Sequence, residues 1–214
     1  MRKMFAFIGM PIYPQDKILF SPDISPASRI SIIREKDGQR ELAQATWWLM
    51  LDPETGKPTK YTSFNSRSDK LNQPRSLAYH PYRHSRCIIP ATAFIEGLGD
   101  GKTYHKIELQ GQAIAFGGLY REYFNKETGE VYTGASIITL GGHPAWKNIH
   151  PDSMPLMLPM SHDVIDAWLD PQNQQVDQFE LLLVPTIRYP QTVTKIGKVS
   201  KWNEVADAFI VVPE

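Results

Sequence analysis

The sequence predicts an α+β protein built mainly from antiparallel β-strands. Two observations carry this prediction: short apolar runs recur along the 214 residues, and 17 prolines and 14 glycines separate them. Hydrophobic residues make up 42% of the chain, with no internal repeat and no low-complexity segment. Since a chain of this length can bury one sizeable core, we expect a single domain over residues 1–214.

Alternation and turn signals place the individual elements. Asp37-Gly38 is a hairpin signal between an alternating run and its return strand. Strands are predicted at 29–34, 42–51, 103–109, 113–120, 131–140, 191–196 and 206–212. Short helices are predicted near 143–150, 162–169 and 174–183.

Composition argues against several classes of protein. The formal net charge is zero, from 23 basic and 23 acidic residues, so any nucleic-acid surface must be local. No run approaches the ~18 to 20 apolar residues that cross a membrane. The single cysteine allows neither a disulfide framework nor a cysteine metal cage. We expect a cytoplasmic monomer without a metal or another cofactor.

The stretch from Cys87 to Ile95 is mostly apolar and ends in a lone carboxylate, Glu96. Pro90 interrupts this stretch, which predicts two short strands with a bend between them. Apolar walls disfavour the charged form of a carboxylate and raise its pKa into the range useful for proton transfer. The alternative is a solvated glutamate without a role, where a strand passes into a turn.

Basic and aromatic side chains are interleaved upstream of that stretch. Arg75, Arg83 and Arg86 alternate with tyrosines and histidines, which suits phosphate contacts and base stacking on a single strand. A solvated loop face has the same composition.

Neighbouring residues of a strand point to opposite faces, so of Trp47 and Trp48 one is expected in the core. Trp47 is the candidate for a stacking surface.

Asn65 and Arg67 lie two residues apart, on one side of an extended chain, so that one ligand can meet both. An amide can hold a hydroxyl or a carbonyl while a guanidinium forks a phosphate. The alternative is an asparagine turn next to a surface arginine.

His150 is a candidate proton carrier, because imidazoles titrate near neutrality. The alternative is a histidine at a helix end that interacts with the helix dipole. His143 and His150 could suggest a metal pair, but no third ligand has suitable spacing.

Cys87 lies in an apolar run, where a thiol is usually buried, so we expect no catalytic role for it.

Three motifs follow one another in the order of a known family. They are Asn-x-Arg at 65–67, Arg-Cys-x-Ile-Pro-Ala-x-x-Phe-x-Glu at 86–96, and Ile-His-x-Asp-x-Met-Pro-x-x-Leu at 149–158. This ordered set resembles the SOS response-associated peptidase (SRAP) family, and segments 115–120 and 166–171 are also similar to it. The resemblance covers most of the chain and implies a β-barrel core with a few short peripheral helices.

The resemblance also implies a function in the DNA damage response. Family members are expected to recognise abasic sites in single-stranded DNA, where an N-terminal cysteine forms a thiazolidine with the ring-opened sugar. By this resemblance Asn65 would orient the sugar and Arg67 would hold the adjacent phosphate. Glu96 would shuttle protons, and His150 would act on the sugar oxygens.

The first residues depart from the family pattern Met-Cys-Gly-Arg-Phe. The position of the nucleophile falls on Arg2, and a thiazolidine needs an amine and a thiol on one residue. Arginine at this position also hinders removal of the initiator methionine, so Met1 is expected to carry the free α-amine. In the third motif Ser153 stands where the family has an arginine, which removes a phosphate contact.

Three functions stay open at this point. The first is an amine-dependent abasic-site lyase that forms a Schiff base through Met1, within a family described as peptidases or hydrolases. The second is a non-catalytic module that binds single strands or junctions, favoured by the altered N-terminus and Ser153. The third is an unrelated β-rich hydrolase that uses Glu96 and His150. Retention of Asn65, Glu96 and His150 favours the first.

Overall fold

The computed structural model describes residues 1–10, 18–200 and 202–214. Its strands are β1 (Arg29–Lys36), β2 (Gln39–Thr46), β3 (Asn65–Arg67), β4 (Arg86–Ala91), β5 (Ala93–Gly97), β6 (Tyr104–Leu109), β7 (Ile114–Phe124), β8 (Val131–Gly141), β9 (Ser153–Pro155), β10 (Gln191–Ile196) and β11 (Phe209–Val211). The helices are α1 (Arg2–Phe7), α2 (Tyr79–His84) and α3 (His162–Leu169), with 3₁₀ segments at Ser68–Lys70, Pro144–Trp146 and Val176–Leu183. Strands outweigh helices, which confirms the predicted fold class.

Five strands close into a barrel. β2 pairs with β1, β1 with β4, β4 with β7 and β7 with β8, all antiparallel. The parallel pairing of Thr46 on β2 with Gly134 on β8 closes the ring. A side chain at Gly134 would collide with the carbonyl oxygens of Trp48 and Leu49, so glycine is needed where the ring closes. The barrel implied by the family resemblance is confirmed.

The chain passes from the barrel into a second sheet at Thr92, between β4 and β5. The predicted bend at Pro90 is wrong, because Pro90 pairs with Ala115 of β7 inside β4. The second sheet has the order β11-β10-β6-β5. Two short strands therefore do carry the stretch that ends in Glu96, but the bend comes two residues later than expected.

Phe94 joins the two sheets. Its ring meets the Phe116 ring of the barrel at 5.2 Å and the fully buried Trp146 at 6.0 Å. Edge-to-face and offset contacts of this kind add to the hydrophobic gain of burying the rings. Residues of both sheets belong to one hydrophobic cluster, and the proposal of a single domain rests on that shared core.

Helix α1 was not predicted from the sequence. Met4 and Phe5 are buried, which fixes the helix against the core. Arg40 on β2 donates a hydrogen bond to the Ile8 carbonyl at 2.5 Å and pairs with Asp166 of α3. These contacts fix where the start of the chain lies.

In the described ranges no helix is long and apolar enough to cross a membrane.

Arg86 is a structural residue, and its assignment to a DNA-binding surface is wrong. It is 3% exposed, and burial lowers its pKa to about 10, so the guanidinium stays charged at neutral pH. It donates to the carbonyl oxygens of Trp168 (2.7 Å), Tyr82 (2.7 Å), Asp170 (2.7 Å), Asn173 (2.8 Å), Arg83 (3.1 Å) and Ala167 (3.5 Å). Its five N–H donors thus bind main-chain segments far apart in sequence and are not free for phosphates.

Candidate active-site pocket

A pocket of about 440 Å³ lies where β4 passes into β5. Its wall is largely apolar and is built by both sheets, by residues 18–26 and by the start of the chain. The lining includes Met1 and the polar or aromatic side chains of Trp47, Asn65, Glu96, Tyr104 and Trp202.

Glu96 lies on β5, two residues after Phe94, which packs against the core, and alternate residues of a strand share a face. Its side chain is only 24% exposed. Burial raises the pKa of Glu96 to about 7, and the neighbouring His150 opposes this shift by a smaller amount. This carboxyl can therefore take up and release a proton near neutral pH.

His150 lies next to Glu96. Its Nδ1 lies 2.5 Å from the Gly97 carbonyl oxygen and 3.8 Å from Oε2 of Glu96. Because a carbonyl can only accept, Nδ1 carries a proton, and Nε2 is the acceptor when the ring is neutral. The main-chain N–H of His150 donates to the carbonyl of Trp146 at 2.9 Å, so a 3₁₀ segment and a turn lead up to His150 in place of the predicted helix.

Asn65 and Arg67 are both exposed, on either side of the buried Ser66, as the two-residue spacing predicted. β3 runs parallel to β8, and the Ser66 hydroxyl lies 2.7 Å from that of Ser136, which fixes the strand. Asn65 lines the pocket. The guanidinium of Arg67 is turned to Asp69, with both contacts at 2.9 Å. A phosphate at Arg67 would therefore compete with this exposed ion pair.

Met1 is half-buried, packs against the core and lines the pocket, whereas Arg2 and Lys3 are exposed. Trp47 also lines the pocket, and its Nε1 donates to the Phe64 carbonyl at 2.9 Å. The structure thus brings Met1, Trp47, Asn65 and Glu96 to one cavity, with His150 in contact behind Glu96.

The predicted basic patch does not line this pocket. Arg75 is exposed on a turn. Arg83 is half-buried, stacks over the Tyr79 ring at 3.8 Å and donates to Oδ1 of Asn72 at 3.0 Å. If Arg75 and Arg83 bind DNA, they contact a part of the DNA strand that lies outside the cavity.

Sequence reasoning missed two contributions to the site. Residues 21–26 line the pocket, although their sequence, Ser-Pro-Asp-Ile-Ser-Pro, predicts only a turn. His105 on β6 is the cross-strand neighbour of Glu96 and is 5% exposed. Its Nδ1 has no hydrogen-bond partner in the described residues, and burial, together with Lys195, lowers its pKa. The alternation of His105 with Ile107 and Leu109 was the available signal for its inward position.

Cys87 is fully buried in β4, and burial raises the pKa of its thiol far above neutrality. A thiolate is the reactive form of cysteine, so this residue cannot replace a nucleophile in the pocket. Within residues 1–10, 18–200 and 202–214, no cluster of three or more histidine, cysteine, aspartate or glutamate side chains could hold a metal ion.

The fold and the pocket define a barrel protein with a largely buried acid and an exposed amide at one cavity, and a histidine next to the acid. A family model described as SOS response associated peptidase (SRAP) matches residues 10–203. The chain belongs to this family. Residues 1–9, which include the departures from the family's first residues, lie outside the matched range.

Particular relatives agree with this assignment. The abasic site processing protein YoaM of Bacillus subtilis (strain 168) is 31% identical over 179 residues, which span 81% of this chain and 76% of YoaM. A solved structure from Bordetella bronchiseptica has a TM-score of 0.67 at 22% identity, over 92% of this chain and 94% of that chain. Another, from Bacteroides thetaiotaomicron, has a TM-score of 0.65 at 24% identity, over 79% and 74%. At such low identity the two structures bear on the fold alone.

The buried Glu96 carboxyl predicts an unusual pH dependence of stability. Its pKa rises from 4.5 to about 7 on folding, so the folded state holds the proton more tightly than the unfolded state. The penalty for ionising Glu96 is therefore absent below pH 4.5, grows between 4.5 and 7 and is complete above 7. We expect Glu96→Gln to raise the free energy of unfolding by about 2–3 kcal/mol at pH 8, and by far less at pH 5.

Urea denaturation at the two pH values checks this. The control is Glu127→Gln, in the exposed loop between β7 and β8, which should change stability little at either pH. An equal gain for Glu96→Gln at both pH values would contradict the raised pKa.

Proposed function

We propose that the protein binds abasic sites in single-stranded DNA and processes the opened sugar in this pocket, in the response to DNA damage. The observation that carries the proposal is the 3.8 Å separation of His150 Nδ1 and Glu96 Oε2 at a pocket that Asn65 also lines. Membership in the SRAP family and similarity to YoaM, an abasic site processing protein, support the choice of substrate.

Each of these side chains has a distinct proposed role. The Asn65 amide holds a hydroxyl or the aldehyde oxygen of the opened sugar. Glu96, with a pKa of about 7, moves protons during ring opening and later steps. His150 lies behind Glu96, where the Gly97 carbonyl holds Nδ1 and leaves Nε2 as the nitrogen that exchanges a proton with the sugar oxygens. Trp47 offers a ring on which a base can stack.

The proposed nucleophile is the α-amine of Met1. α-Amino groups are partly neutral near pH 7, unlike lysine side chains, so such an amine can attack an aldehyde. Attack on the sugar aldehyde and loss of water give an imine. A base then removes the adjacent sugar proton, the bond to the 3′ phosphate breaks, and the phosphate leaves with the electron pair. Water finally hydrolyses the imine and restores the amine.

Borohydride trapping tests this function. The protein is mixed with a labelled single strand that carries a natural abasic site, sodium borohydride is added, and adducts are resolved on a denaturing gel. A strand with a tetrahydrofuran abasic analogue is the control, since it has no aldehyde. We expect an adduct with the natural site alone, and equal binding of both strands before reduction.

Three further measurements locate the nucleophile. Intact mass of the purified protein establishes which residue carries the α-amine. Acetylation of that amine should abolish trapping, and Cys87→Ala should leave it unchanged. Trapping that survives acetylation would assign the nucleophile to a lysine and contradict the role of Met1.

A non-catalytic single-strand or junction binder is the second candidate. It is favoured by the exposure of Arg2 and Lys3 outside the pocket and by the complete burial of the Cys87 thiol. In that case both strands would bind, no adduct would form with either, and the Glu96 and His150 pair would be a remnant of the family's chemistry.

A further inference from the structure

Trp202 lies in the wall of the pocket, although no motif of the sequence pointed to it. It is half-buried, and its backbone has a φ of 53°, in the left-handed region that residues with side chains rarely adopt. Such strain persists only where the surrounding structure holds it, and it is frequent at sites that clamp ligands. In the described part of the chain no aromatic ring packs on the Trp202 indole.

The loop that carries Trp202 is closed by main-chain hydrogen bonds. Gly197 N–H donates to the Asn203 carbonyl at 2.9 Å, and Trp202 N–H donates to the Lys198 carbonyl at 3.1 Å. A bridge between Ile196 and Glu204 closes the base of the loop. These contacts hold the backbone of Trp202 close to the end of β10.

The register of the second sheet places this loop beside the catalytic candidates. Gly97 pairs with Tyr104 across β5 and β6, and Tyr104 pairs with Ile196 across β6 and β10. Strands lie about 4.8 Å apart, so Ile196 is about 10 Å from Gly97, the residue that follows Glu96. Gly97 brings no side chain to this part of the wall, and Trp202 supplies a large flat one.

We propose that Trp202 stacks on the base of a nucleotide next to the abasic position and so holds the strand in register with Glu96. The proposal rests on the proposed function, because it takes single-stranded DNA as the ligand. An indole offers a face to any base, and such stacking tolerates sequence. The exposed Lys198 at the start of the loop adds a positive charge suited to the backbone of that strand.

Affinities for three synthetic strands test the stacking. One strand carries a single tetrahydrofuran site, one also lacks the 5′ neighbouring base, and one also lacks the 3′ neighbouring base. Fluorescence anisotropy at fixed salt measures each affinity for wild type, Trp202→Ala and Trp202→Phe. Phe124→Ala is the matched control: Phe124 is 59% exposed and lies eight residues along β7 from the pocket residue Phe116.

We expect Trp202→Ala to bind the first strand about tenfold more weakly, as is usual for loss of one stacked base. Trp202→Phe should keep most of the affinity, and Phe124→Ala all of it. On the strand that lacks the stacked base, wild type and Trp202→Ala should bind equally.

Other outcomes overturn the proposal in distinguishable ways. Equal affinity of wild type and Trp202→Ala for the first strand would exclude stacking and leave the proposed function intact. An equal loss on all three strands would assign Trp202 a role in the loop's own structure. If wild type binds none of the strands, both the stacking and the proposed function are wrong.

Discussion

Glu96→Gln is expected to slow the borohydride trapping of abasic single strands by about 10²- to 10⁴-fold, the usual contribution of a positioned acid or base. Glutamine keeps the shape of the side chain but cannot exchange a proton. Because burial raises the pKa of Glu96 to about 7, the wild-type rate should change with pH around neutrality, and the part of this dependence that comes from Glu96 should be missing in the variant.

Binding and trapping must be measured on the same preparations to interpret that loss. Affinity for the tetrahydrofuran strand should stay within about twofold of wild type, since the substitution is isosteric and removes no stacking ring. Glu108→Gln provides the comparison: Glu108 lies on the outer face of β6 and pairs with Lys106 at 3.1 Å. A trapping rate of Glu96→Gln near that of wild type would remove Glu96 from the mechanism.

Arg86→Met is expected to lower the free energy of unfolding by about 3–5 kcal/mol, because several buried carbonyls lose a charged donor and each unpaired group costs about 1–3 kcal/mol. For a chain of this size the loss corresponds to a fall in melting temperature of about 6–20 °C. Lysine cannot restore the stability, since one ammonium does not reproduce the planar fork of donors. Thermal and urea unfolding measure the change.

Arg75→Ala is the control for this experiment. Arg75 is exposed, so its removal should leave stability within about 0.5 kcal/mol of wild type. At a temperature where Arg86→Met stays folded, the variant should bind single strands as wild type does, because the guanidinium faces carbonyls inside the protein. If fully folded Arg86→Met bound single-stranded DNA more weakly than wild type, Arg86 would have to contact DNA, contrary to its burial in the structure.

The parts of the site that could be predicted depend on local periodicity. Asn65 and Arg67 share a side because alternate residues of a strand do, and the apolar run before Glu96 indicates the burial that raises its pKa. The strand predictions in the barrel succeeded for the same reason. The return strand β2 ends at Thr46, whereas the sequence predicted an end at Leu51. The sequence therefore indicates the presence of a strand more reliably than its end points.

The parts that failed depend on contacts distant in sequence. Nothing in the local sequence distinguishes Arg86 from the other arginines near it. Arg86 becomes a buried donor only because residues 167–173, more than 80 positions away in the sequence, pack against it. His105 and Trp202 become neighbours of the site through the register of β5, β6 and β10. Turn signals and alternation predict strands, but they do not specify which strands pair.

The Gly97 carbonyl holds Nδ1 of His150, and Gly97 directly follows Glu96. One strand end therefore sets both the tilt of the carboxyl and the tautomer of the imidazole. A substitution that shifts the end of β5 would therefore displace the Glu96 carboxyl and the His150 imidazole together, so the geometry of the two groups depends on the position of this one strand.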